Sequence, residues 1–228
     1  GTELLGIDPG KTAVCYPGIS ESFISLAGPP GSAPPHGPKR LLTVGRLVKR
    51  KGVADVIRAL GMLSGNREIE YHVAGRIADS GYYEHCRRAA RDAGIEEQVI
   101  FHGAVSQKKL HTLYRESDIF VLVPRIEDEG ENYEGFGTVY IEAGVYGLPS
   151  VGIESAGAAE AVVHCRTGLK VKDAGNFRQI ADAVSVLLDD KKLRQKMGRA
   201  AAHRARTVFN WKRLVKEMIE REKEILAP

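Results

Sequence analysis

Cysteine is scarce: there are three in 228 residues, Cys15, Cys86 and Cys165. The odd number and wide spacing exclude a disulfide framework and a cysteine-based zinc site. They set the expectation of a reducing cytosol. Long apolar runs are also missing. The longest, Ile119–Val123, has five residues, whereas a membrane-spanning helix takes about 20. No charged-then-apolar signal segment opens the chain. Its first residue is Gly1 rather than methionine, so we expect a segment of a longer protein. Neither sign of charge dominates, since 33 Lys and Arg against 29 Asp and Glu leave +4, and no nucleic-acid partner is expected. A hydrophobic content of 43% with 27% charged residues excludes extended disorder and collagen-like sequence.

The basic residues are unevenly placed. Between Lys191 and Glu224 there are 12 Lys and Arg against 4 acids. A basic C-terminal segment on an acidic body suggests contact with something anionic, such as a membrane surface, a lipid-linked acceptor or an acidic domain. A solvated helix face is the alternative. Residues 27–38 read AGPPGSAPPHGP, eight of twelve being Pro or Gly. This is a linker without helix or strand. With a strand-like run at Ala13–Tyr16 it makes a leader over residues 1–38.

From residue 39 onward, short apolar runs ending in glycine alternate with helical periodicity. Strands are expected at 41–45, 68–75, 98–103, 118–124, 148–153 and 169–171. Helices are expected near 52–63, 79–93, 106–116, 138–146, 156–163, 176–189, 191–205 and 210–225. The run 118–124 is apolar throughout, as a strand buried on both faces must be. This alternation argues for an α/β, Rossmann-like, doubly wound parallel sheet with helices on both faces, over residues 39–208. Such sheets bind ligands at the carboxyl ends of their strands, so the turns there are where chemistry is expected.

Two nucleotide motifs fail on spacing. GIDPGKT (6–12) has three residues between its glycines where a phosphate loop needs four. Gly135-Phe-Gly137 is followed at position 140 by tyrosine rather than the third glycine of a dinucleotide fingerprint. VGRLVKRKG (44–52) is more informative. Arg46, Lys49, Arg50 and Lys51 stand at the mouth of a turn and Gly52 opens a helix, an arrangement suited to phosphate. ENYEGFGTVYIEAGVYGLPSVG (131–152) is the decisive segment. On one unbroken helix Glu134 and Glu142 would lie about 12 Å apart, too far for an acid–base pair. With a helix starting near Thr138, Glu134 falls in the loop and Glu142 about one turn in. Gly135 and Gly137 between them allow close backbone approach. Two carboxylates flanking an anion-binding helix start fit a ligand with hydroxyls at both ends and phosphate in the middle, which describes a nucleotide-sugar.

No metal site is expected. Glu127, Asp128, Glu129 and Glu131 lack EF-hand spacing. His85-Cys86 and His164-Cys165 are isolated pairs, read as structural. Phe209 and Trp211 are read as packing anchors for the last helix.

VGRLVKRKG, YHVAGR, VIFHG, DIFVLVP and then E-G-F-G-x4-E-A-x3-G-x-P together resemble the C-terminal, donor-binding domain of glycosyltransferase family 4, over about residues 12–226. The resemblance implies one half of a GT-B fold, in which two Rossmann-like domains face each other across a cleft. It implies a metal-independent retaining glycosyltransferase that moves a sugar from a UDP- or GDP-sugar to a polysaccharide, lipid or small-molecule acceptor. It is expected to be cytoplasmic, at most peripheral at the inner face of a membrane. Arg46 and Lys51 would bind the donor diphosphate. Glu134 would contact sugar hydroxyls, helped by the backbone of Gly135, Phe136 and Gly137. The amides near Thr138 and Val139 would hold the distal phosphate, and Glu142 the ribose. Arg76 and the loop with Gly103 and Ala104 would line the base pocket. Residues 209–228 would cross toward an absent N-terminal domain, without which the chain would not turn over. The alternative from another class is a non-catalytic module that binds a nucleotide-sugar or a partner.

Overall fold

Six short apolar runs pair into one parallel sheet. They are β1 (Lys39–Val44), β2 (Ile69–Ala74), β3 (Val99–Gly103), β4 (Ile119–Val121), β5 (Ser150–Ile153) and β6 (Gly168–Val171), in the order β3-β2-β1-β4-β5-β6. The structure is a computed structural model that describes residues 12, 14–30, 37–63, 65, 67–125, 134–154 and 157–226. Leu41 and Leu42 are neighbours in β1 and so point to opposite faces. Both are fully buried, so both faces of the sheet are covered. The strand order reverses between β1 and β4, and a doubly wound sheet opens its binding crevice at the carboxyl end of such a switch point.

The helices have readable causes. α2 (Val53–Gly61) buries Val53, Val56, Ile57 and Leu60 on one stripe and packs against α3 (Ser80–Asp92) and α7 (Phe177–Asp189). α4 (Gln107–Glu116) starts on Ser106, whose hydroxyl accepts from the Lys109 N–H. Asp79 caps α3, Asn176 caps α7 and Asp190 caps α8 (Lys191–Thr207) in the same way. α8 lies along α5 (Thr138–Val145), where a Cβ on Gly198 would stand 2.1 Å from the Gly147 carbonyl oxygen. α6 (Ala158–Ala161) is a single turn, and α9 (Trp211–Leu226) ends the described chain. Every strand and helix expected between residues 39 and 226 is present, most of them within two residues of the predicted ends.

Two expectations are corrected. Val14–Tyr16 form no strand, and the sheet ends at β3 on one side and β6 on the other without them. Ile19 instead makes an isolated bridge to Asn210, exchanging backbone hydrogen bonds with Phe209 and Trp211 at 2.7 and 3.1 Å. The leader then forms α1 (Glu21–Ala27), capped by Ser20, which the sequence reading did not anticipate. Phe209 is fully buried and Leu214 of α9 is buried with it, whereas Trp211 is 48% exposed and packs on Gly18 at the surface rather than in the core. Ala13, residues 31–36 of the linker and the acidic run Glu127, Asp128, Glu129 and Glu131 lie outside the described residues.

Candidate functional site

The turns leaving β1, β2 and β3 are tied together through their backbones. The Gly45 N–H donates to the Ala74 carbonyl at 2.9 Å, Leu47 to Arg76 at 2.9 Å, and Gly75 to Gly103 at 2.8 Å. A Cβ on Gly75 would stand 1.9 Å from the Gly45 carbonyl oxygen, so only glycine permits this approach. The ties bring Arg46, Arg76, Gly103 and Ala104 to one edge of the sheet. Arg46 and Arg76 are exposed there. Among the described residues the Arg46 guanidinium has no ion pair.

After Leu47 the chain makes a 3-10 turn over Lys49–Lys51, closed by Gly52 in the left-handed region (φ 68°). That turn sets which cations point inward. Lys51 is buried, at 8% exposure, and its Nζ contacts the Glu134 Oε2. The Arg50 Nη1 donates to the same oxygen at 3.0 Å. Gly45 lies beside this group: a Cβ there would be in ordinary contact with the Lys51 side chain, 3.8 Å from its Nζ. One carboxylate at the head of α5 therefore gathers two cations from the end of β1. The turn is secured to the β4 side as well. The Arg125 N–H donates to the Arg50 carbonyl at 2.7 Å. The Arg125 guanidinium grips the buried Asp55 of α2 at 2.7 and 2.6 Å.

α5 begins directly beyond Glu134. Gly137 (φ 72°) precedes it and offers no side-chain cap, which leaves the Thr138 and Val139 N–H groups for a ligand or water. Thr138 and Gly135 are exposed and Val139 is half-buried. The Phe136 ring is held at 5.3 Å from Tyr16 and 5.2 Å from Phe209. Behind the turn, a Cβ on Gly157 would come within 1.9 Å of the Gly135 carbonyl oxygen. The short E-G-F-G turn is thus pinned on two sides. Tyr140 lies under it, donating to the Leu122 carbonyl, and burial together with the Glu134 charge holds its phenol well above the ordinary value.

Glu142 lies one turn into α5, as the spacing predicts. It is half-buried and accepts from the Tyr114 hydroxyl at 2.8 Å. Burial raises its pKa above the ordinary carboxylate value, and the Tyr114 hydrogen bond only partly offsets this. The phenol Tyr114 is itself fully buried and stacked on Tyr146 at 5.3 Å.

The structure thus places Lys51, Glu134 and the head of α5 in direct contact, with Arg46 on the adjoining turn. Two residues with contacts at this site were assigned no role of their own from sequence. Arg50 stands in a run of three cations, and sequence does not say which of them turn inward. Tyr114 sits on a different helix, 28 positions before Glu142, and no local signal joins them. Among the described residues no group of three His, Cys, Asp or Glu side chains is arranged to hold a metal ion. His85 hydrogen-bonds Arg58 and Cys86 is buried.

Comparison with known proteins extends this geometry. The family model described as glycosyl transferases group 1 matches residues 29–204. A GDP-mannose-dependent alpha-(1-6)-phosphatidylinositol monomannoside mannosyltransferase of Mycobacterium tuberculosis is 31% identical over 180 residues, 79% of this chain and 46% of that protein. The chain spans about half the length of the curated relatives it matches. Among solved structures, a glycosyltransferase from Rickettsia africae superposes with a TM-score of 0.79 at 22% identity, over 97% of this chain and 59% of that one. Anabaena HepE, solved in complex with UDP-glucose, gives 0.77 at 20% identity, over 97% of this chain and 60% of that one. These likenesses establish the Rossmann-like fold expected of half of a GT-B enzyme.

Proposed function

The chain belongs to the glycosyl transferases group 1 family, and from that premise we propose that it is the C-terminal, donor-binding half of a family 4, metal-independent retaining glycosyltransferase. The observation that carries this reading is the convergence of Lys51 and Arg50 on Glu134 at the uncapped head of α5, next to the exposed Arg46. Arg46 and Lys51 meet the donor diphosphate, and the Thr138 and Val139 amides hold the distal phosphate. Glu134 and the backbone of Gly135–Gly137 receive the sugar hydroxyls. Glu142 receives the ribose, and the turns with Arg76, Gly103 and Ala104 receive the base.

The chemistry follows from this placement. When the bond between the anomeric carbon and the β-phosphate oxygen breaks, its electron pair goes to that oxygen. Lys51, Arg46 and the head of α5 are preorganised to stabilise the charge. The acceptor oxygen attacks from the face the diphosphate leaves, and its proton passes to the departing phosphate oxygen, so the anomeric configuration is kept. The donor is a UDP- or GDP-sugar; the mycobacterial relative makes GDP-mannose the first to try. The acceptor is a polysaccharide, a lipid or a small molecule, and its site lies on an N-terminal domain toward which α9 crosses.

Calorimetry with GDP-mannose, UDP-glucose and ADP-glucose on the chain tests the donor site. One nucleotide-sugar should bind, and Lys51→Met should weaken it at least about tenfold, as expected for one charge-assisted hydrogen bond. Saturable binding of none of the three, or binding indifferent to Lys51→Met, would refute the site. The chain alone should not transfer sugar, whereas the full-length protein should give a product with retained configuration. Transfer by the chain, or an inverted product, would refute those parts of the reading.

A further inference from the structure

At the opposite, amino-terminal edge of the sheet a cleft of about 520 Å³ opens between α8, the end of α4, the start of β1 and the turn before β5. Five cations line it, Lys39, Arg115, Lys191, Arg194 and Arg199, against one carboxylate, Asp118. That carboxylate is already engaged, by Lys39 at 3.2 Å and by Arg194 at 3.8 Å. Arg194 and Arg115 otherwise donate to the backbone carbonyls of Leu187, Leu188 and Leu26, which orient a guanidinium without cancelling its charge. Lys191 and Arg199 make no ion pair among the described residues. With Gln195 between them they form one row along α8, about 12 Å long. α8 carries no Asp or Glu at all, so nothing on that helix offsets them.

Like charges gathered in a concavity raise its potential and draw in anions. The volume is that of a small-molecule site. Arg forks and Lys ammonium groups match phosphate oxygens. We propose that this cleft binds a phosphate-bearing anion, with Lys191 and Arg199 engaging separate anionic groups. The same chemistry is offered by a free phosphorylated metabolite and by an anionic lipid headgroup.

The test follows amide resonances of the full chain during titration with inorganic pyrophosphate. The Ser117, Gln195 and Arg199 amides should shift saturably. Lys191→Glu/Arg199→Glu should weaken that response at least about tenfold, while Arg46→Ala, at the other edge, should leave it unchanged. Lys191→Gln/Arg199→Gln removes charge without reversing it and should give an intermediate loss. Both side chains are exposed, so the variants keep their fold, which a thermal melt verifies. Flotation with vesicles of equimolar phosphatidylglycerol and phosphatidylcholine separates the sources. Flotation lost in the charge-reversed variant identifies a headgroup, and a pyrophosphate response without flotation identifies a free anion. Absence of both responses, or responses that ignore the substitutions, overturns the site.

Discussion

A lysine ammonium at 8% exposure needs a partner, because an unpaired buried charge is among the costliest defects a fold can carry. Glu134 is that partner, and the two ends of the pair are unequally supported. If Lys51 is removed, Glu134 keeps Arg50 at 3.0 Å. If Glu134 is neutralised, Lys51 and Arg50 face each other without a counter-charge. Glu134→Gln should therefore lower stability by about 3 kcal/mol, and Lys51→Met by only about 1 kcal/mol. Urea unfolding of both variants checks the order, and equal losses would mean that Arg50 does not support Glu134. Lys51 and Glu134 were legible in the sequence because their spacing to nearby glycines marks a turn and a helix start. The inward turn of Arg50 was not, because it depends on a 3-10 turn whose direction is set by the tertiary contact of Gly52.

Gly52 belongs to the scale of elements. It has φ 68°, and a Cβ there would meet the Val123 carbonyl oxygen at 2.2 Å, so the start of α2 rests directly on the chain leaving β4. Gly52→Ala must both strain the left-handed backbone and push these two elements apart. The expected loss is about 2–3 kcal/mol. Gly157→Ala is the informative contrast. Its backbone is in the ordinary helical region (φ −63°), yet the added methyl would press on the Gly135 carbonyl. It should therefore disturb the E-G-F-G turn more than the core, weakening nucleotide-sugar binding severalfold with a smaller loss of stability than Gly52→Ala. Calorimetry beside thermal melts distinguishes the two. Strands and helices after residue 39 could be read because buried parallel strands and amphipathic helices write their periods into the sequence. α1 could not, since its seven residues lie in the leader, outside the alternating pattern that located even the single-turn α6. The absence of a strand at Val14–Tyr16 turns on tertiary pairing, which no local sequence specifies.

Across the whole molecule, stability should respond to pH through two histidines on neighbouring elements. His102 on β3 is held below its ordinary value of 6.5 by burial first, then by His72 and Lys109. The His72 Nδ1 lies 2.9 Å from its Nε2, with Glu70 beyond at 3.2 Å. His111 on α4 is likewise lowered by burial first and then by Arg115; its Nδ1 meets the Tyr146 hydroxyl, and among the described residues its buried Nε2 has no partner. A histidine with a depressed folded-state pKa binds fewer protons folded than unfolded. Its contribution is therefore complete above 6.5 and is lost as pH falls below that value toward the folded-state pKa. Glu142 acts in the opposite sense. Its raised pKa gives a contribution that is present below 4.5 and lost as pH rises through the folded-state value. Between neutrality and mild acid the histidines should thus set a downward slope, and replacing them should remove it while leaving the Glu142 response. Urea midpoints of the unsubstituted chain and of His102→Gln/His111→Gln, taken in steps from pH 7.5 downward, should converge as the pH falls past about 6.5. The two proteins should then differ most at neutral pH. Parallel curves over that range would show that neither imidazole titrates differently in the folded and unfolded chain.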